Sequence, residues 1–291
     1  MNHKQSKAID WPAIKVIARS HLWRGRAPPR LNLLILLIAS ALGSPVWAAD
    51  CAGQEGGAEA FHDLDFSYRI ETLDPKSPHW TDWELAYLRT FARRTLLLGR
   101  LTQSRRFDLA DTSGTVGGYL PLGAQDTLFA ETTQSATHRV LPQSSYQLAW
   151  AHAFTGGWGT QFGARHVIYN STEVTIGELT LEKYISDYRL AYSYSPSHSS
   201  TAAGAAGHRL QGGYFYGSGN SAQVIVTTGD EVDKPTSATA VTATRVNSAA
   251  LFGLQWLSCD WAVGWSAAYT ASRGAASSDR RGLGLFLRRR F

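Results

Sequence analysis

Cysteine is nearly absent from this chain, and the two that occur, Cys51 and Cys259, permit one disulfide at most and exclude a disulfide-built scaffold. No CxxC, no HExxH and no cluster of His and Cys at ligand spacing is present, so neither a metal nor any other cofactor is expected. Proline becomes scarce after Pro142, and no long stripe at helical period and no repeat of helix pairs appears. An all-helical fold is therefore disfavoured. Serine never falls in a GxSxG or another compact catalytic context. His138, His152, His166, His198 and His208 consequently have no recognisable triad, and no enzyme activity is expected.

One apolar run is present, from Leu31 to Leu42. It is too short to cross about 30 Å of hydrocarbon as a helix, and no later run reaches its length. Lys4, Lys7, Lys15, Arg19, Arg24, Arg26 and Arg30 precede or flank it against the single acid Asp10, and the small residues Val46 and Ala48 follow. This pattern predicts a secretory signal over residues 1–49. Cys51 lies near the cleavage region, but Asp50 before it argues against lipidation. The chain carries 28 Lys and Arg against 23 Asp and Glu, and the excess belongs to the signal. What remains has a net charge of about −1, so no nucleic-acid partner is expected.

The rest of the chain is rich in Gly, Tyr, Trp and Phe while its mean hydropathy is negative. Residues 50–60 read as a flexible periplasmic lead. From 61 to 291 the chain alternates with period two, and strands are predicted at Phe61 to Ile70, Trp80 to Phe91, Thr95 to Phe107, Gly114 to Leu122, Thr127 to Thr137, Ser144 to Phe154 and Trp158 to Tyr169. They continue at Val174 to Ile185, Tyr188 to Tyr194, His208 to Gly217, Ser221 to Gly229, Ser248 to Ser258, Trp261 to Ser272 and Gly282 to Phe291. The expected fold is all-β, a single antiparallel transmembrane β-barrel of 14 strands, with 12 or 16 as the alternatives. Short joins at Ala92 to Arg94, Gly156 to Gly157 and Ser186 to Asp187 are expected on the periplasmic side, and Asp230 to Val246 as a longer external loop.

Alternation is clearest where one face is nearly all apolar. Leu283, Leu285, Leu287 and Phe291 stand against Gly282, Gly284, Arg288 and Arg290; Tyr146, Leu148, Trp150 and Phe154 stand against Gln147, Ala149, Ala151 and Ala153. A soluble protein would have to bury the first sets against a second sheet, whereas outer-membrane lipids would receive them directly. The opposite parity collects Glu131, Arg165, Arg189, Arg209, Arg288 and Arg290 as candidates to line a lumen. Two readings of that lumen stand: a charged passage that guides an anionic solute, and an internal ion-pair network that fills and stiffens a closed barrel.

Four stretches, FHDLDFSYRI with WTDWELAYLRTF, RTLLLGRLTQSRRF, VTIGELTLEKYISDYRLAYSYSPS and the closing GLGLFLRRRF, together resemble the YaiO family of outer-membrane β-barrel proteins over roughly Phe61 to Phe291. Arg289 stands where such terminal strands commonly carry an aromatic. The resemblance implies a Gram-negative outer-membrane location, Phe291 as an anchor read by the barrel assembly machinery, and a context of polysaccharide production or export. It supplies no catalytic residue set. The expected function is a passive pore or support for solute or polysaccharide passage; the alternatives are a structural or assembly protein with a closed lumen and an outer-membrane hydrolase.

Overall fold

The computed structural model of the chain describes residues 60–73, 79–91, 95–200, 204–217, 219–233, 242–273 and 278–291. The predicted signal and most of the predicted lead lie outside them, as do Ala92 to Arg94. Fourteen strands run in chain order: β1 (Phe61–Thr72), β2 (Trp80–Thr90), β3 (Leu96–Arg106), β4 (Leu109–Pro121), β5 (Asp126–Ser135), β6 (Ser144–Ala153) and β7 (Trp158–Ile168), followed by β8 (Glu173–Ile185), β9 (Tyr188–Ser199), β10 (Ala205–Tyr216), β11 (Asn220–Asp233), β12 (Thr242–Trp256), β13 (Trp261–Arg273) and β14 (Ser278–Arg290). Every strand pairs antiparallel with its chain neighbours, and β1 pairs with β14, so the sheet closes into a barrel with no free edge. The 14-strand expectation holds.

Closure is a matter of register. Asp63 lies opposite Arg290 and Thr72 opposite Arg281, and one step further His62 of β1 and Phe291, just past β14, exchange two backbone hydrogen bonds of 2.9 Å. Because side chains alternate, this register places Leu64, Phe66 and Tyr68 on the same face as Leu283, Leu285 and Leu287. Those side chains are exposed, Leu285 to 66%, and the same parity continues around the barrel through Leu101, Leu148, Leu179 and Leu210. Aromatic residues bound this apolar band: Phe154, Trp158, Tyr188, Tyr214 and Trp261 near the rim that carries the termini, and Tyr68, Trp83, Tyr146 and Tyr194 toward the other. Apolar surface of this extent needs a lipid environment, and rings at both margins suit its two interfaces.

One cluster of fully inward apolar residues stiffens the end of the chain. Leu254, Trp256 and Ala262 are buried together, with Phe286 packed against them. Phe286 reaches them by lying across Gly264 of the intervening strand, where an added Cβ would fall 1.7 Å from the ring. On the outer face Trp265 covers Gly253 in the same manner. An aromatic ring thus takes the place of the missing side chain on the neighbouring strand.

The structure corrects several predicted boundaries, and most corrections lie at the rim away from the termini. β4 begins at Leu109 rather than Gly114, β9 continues to Ser199 rather than Tyr194, β14 begins at Ser278 rather than Gly282, and β11 and β12 extend into the predicted 230–246 loop. Beyond the apolar band both faces of a strand are polar, so the period-two signal fades while backbone pairing continues. β3 and β4 are joined by Phe107 and Asp108 alone, both left-handed with φ of 51° and 60°, a turn ordinarily announced by Asn-Gly or Asp-Gly.

Candidate functional site

Opposite the lipid-facing parity lies a charged interior. Arg100 of β3 donates to Glu131 of β5 at 2.9 Å and lies 3.6 Å from Glu84 of β2. Arg209 of β10 donates to Glu178 of β8 at 3.2 Å and to Ser193 at 3.1 Å. In both pairs the side chains pass over an intervening strand, on the face opposite the exposed leucines. Arg189 donates to Glu182 at 2.8 Å across the β8–β9 hairpin, and Arg165 donates to the Ser145 hydroxyl at 2.9 Å.

The densest cluster sits on the closing seam. Arg288 makes a two-pronged contact with Asp65, Nε to Oδ1 at 2.7 Å and Nη2 to Oδ2 at 2.6 Å, and lies 3.7 Å from Asp63. Arg290 grips Asp63 in the same way at 2.9 and 3.2 Å. Its guanidinium also lies 4.1 Å from the Phe61 ring centre and 4.3 Å from that of Trp256. Asp63 is only 4% exposed, so its charge depends on these arginines for compensation. At the other rim Trp80 lies between Arg106 and Arg280, at 4.8 and 5.0 Å, and Arg280 lies 3.7 Å from Glu71.

The six candidate residues have the parity opposite to the exposed leucines and tyrosines of their strands and fall in separate clusters. Arg288 and Arg290 meet on the seam; Glu131, Arg189 and Arg209 each have a partner from the opposite charge class; Arg165 neighbours a hydroxyl. The partners Glu84, Arg100, Glu178, Glu182, Asp63 and Asp65 were not among the predicted residues. Parity alone marks them, and register is needed to see that they meet. Phe291 lies on the outer face, 59% exposed, its ring stacked on His62 with centres 5.6 Å apart. His152 and His208 also face outward, bonded to Asp126 at 2.8 Å and to the Tyr192 hydroxyl at 2.7 Å. Cys259, in the β12–β13 connection, is disulfide-bonded; Cys51, the only other cysteine of the sequence, lies outside the described residues.

Residues 62–234 match the YaiO membrane beta barrel domain. The chain belongs to this family. The match runs from β1 into the segment after β11, and β12 to β14 complete the barrel beyond it. Among solved structures, the YaiO barrel is similar to the CymD monoaromatic hydrocarbon channel, with 9% identity and a TM-score of 0.52 over 81% of this chain and 90% of that one. It is similar also to a bacterial polysaccharide outer membrane secretin, with 8% identity and a TM-score of 0.50 over 80% and 99%. At these identities the likeness is one of fold. No curated protein matches the chain. The protein is an outer-membrane β-barrel of a Gram-negative envelope, and its apolar band is seated in that membrane's lipids.

The seam makes a direct prediction. Arg288→Ala leaves Asp63 and Asp65 short of compensation and should lower stability by about 3 kcal/mol, the low end for breaking a buried pair. Urea-unfolding midpoints in detergent or vesicles measure this, and adding Asp65→Asn to the variant should recover part of the loss. Equal midpoints for the wild type and Arg288→Ala would remove the seam pairs from the stability account.

Proposed function

We propose that the interior is a passive route for hydrophilic solutes across the outer membrane, lined by Glu131, Arg165, Arg189, Arg209, Arg288 and Arg290 together with their acid partners. The observation that carries this reading is a polar interior in a barrel of this girth. About eight strands are filled by their own side chains, and 16 to 18 leave an aqueous channel. Fourteen strands lie nearer the second case. Arg100 Nε, Arg209 Nε and Glu182 Oε1 are buried and have no hydrogen-bond partner among the described residues, so the interior is not a fully satisfied packed core.

The pairing revises the electrostatic expectation. Arg189 and Arg209 are compensated by Glu182 and Glu178, so an anionic solute or an acidic polysaccharide would meet a weak field. The alternative of a sealed barrel with a structural role draws on the same pairs, since Arg100 to Glu131 and Arg209 to Glu178 brace next-nearest strands. Planar-bilayer recording separates the two. The passage reading expects steady ion conductance with little selectivity; Glu178→Gln with Glu182→Gln should shift it toward anions, and Arg189→Glu with Arg209→Glu toward cations, both shifts shrinking as salt is raised. Correctly folded barrels that do not conduct would support the sealed alternative.

Phe291 completes the proposal as the residue through which the assembly machinery engages the last strand. Its outward ring and its two backbone bonds to His62 support that role. Phe291→Ser should slow membrane insertion in a pulse–chase assay; unchanged kinetics would remove the residue from it.

A further inference from the structure

A groove of about 450 Å³ lies on the membrane-facing side of β8 to β13. Gly212 and Ala222 form its floor, and Tyr188, Leu190, Tyr214, Val224, Leu251 and Trp265 are among the residues that wall it. Tyr188 and Tyr214 stack with ring centres 5.0 Å apart, which fixes one wall. The notch exists because two small residues fall at adjacent outward positions, Gly212 opposite Val224 and Ala222 opposite Tyr214. In a bilayer such a space is filled by hydrocarbon.

Lys183 lines the groove at the rim that carries the chain termini. Its Nζ donates to the Gly156 carbonyl at 2.7 Å and lies 4.6 Å from the Trp158 ring centre. One of its three N–H donors is thereby used, and no carboxylate pairs with it among the described residues. Connections at this rim are short, two residues between β8 and β9 and three between β10 and β11, as in barrels whose short turns face the periplasm. Lys183 therefore lies at headgroup depth in the inner, glycerophospholipid leaflet, directly at the end of an apolar slot.

We propose that this face holds one glycerophospholipid of the periplasmic leaflet, with an acyl chain in the Gly212–Ala222 groove and its phosphate on Lys183. The acyl chain is recognised by shape and the phosphate by charge, so the two halves of the site can be removed separately. A second apolar groove of about 380 Å³, over Gly99 and Gly114 between Leu85, Leu101 and Val116, has no outward cation in its lining. It offers hydrocarbon contact without the anchor.

The full mature barrel, extracted from outer membranes in mild detergent and weighed by native mass spectrometry, tests this. Wild type should retain one phospholipid. Ala222→Leu, which fills the slot, should abolish retention; Lys183→Gln should reduce it several-fold; Gly99→Leu in the second groove should leave it unchanged. Heat-modifiable migration confirms that each variant is folded. Lipid-free wild type, equal retention by all variants, retained lipopolysaccharide in place of phospholipid, or a wild-type dimer that Ala222→Leu dissociates would each overturn the assignment.

Discussion

Hydrocarbon offers no hydrogen bonds, so a sheet that crosses it must satisfy every backbone N–H and C=O within itself. For this chain the requirement converges on one seam, where β1 meets β14. All other pairings join strands that are neighbours in sequence, but this one brings residues more than two hundred positions apart into register. Asp63 and Asp65 on one strand meet Arg290 and Arg288 on the other. A slip by one residue would put these charges into lipid and Leu283, Leu285 and Leu287 into the interior. The ion pairs thus specify the register that closure demands, as well as adding to its stability.

From that register the two surfaces follow. Outward, leucines and aromatic margins meet the bilayer; inward, arginines meet acids over short distances and often over an intervening strand. An interior assembled from compensated pairs differs physically from one lined by a single sign. It holds the net field low and braces the wall. Family membership reaches the fold and the membrane, and the structural likenesses reach the fold; the interior's chemistry supports the functional proposal.

Much of this was legible in the sequence because a barrel writes its geometry with period two. Leu283, Leu285 and Leu287 against Arg288 and Arg290 sufficed to separate the faces, and the apolar content of each segment sufficed to count the strands. Partners were less legible. Arg189 and Glu182 are seven residues apart and meet only because a two-residue turn sets their hairpin; Arg209 and Glu178 lie on strands that are not neighbours at all. Strand length also escaped, since Pro196 to Ser199 and Ser278 to Arg281 carry no alternation where both faces are polar. The Phe107–Asp108 turn lacked the glycine that would have marked it.

The most direct test of the account is the solvent on each side of the wall. Single cysteines at the adjacent pairs Phe66 and Ser67, Leu148 and Gln147, and Val224 and Gln223, placed in the membrane-inserted barrel, can be challenged with a water-soluble, membrane-impermeant thiol reagent. The account predicts labelling at 67, 147 and 223 and protection at 66, 148 and 224. Labelling of both members of each pair, or of the apolar members alone, would contradict it.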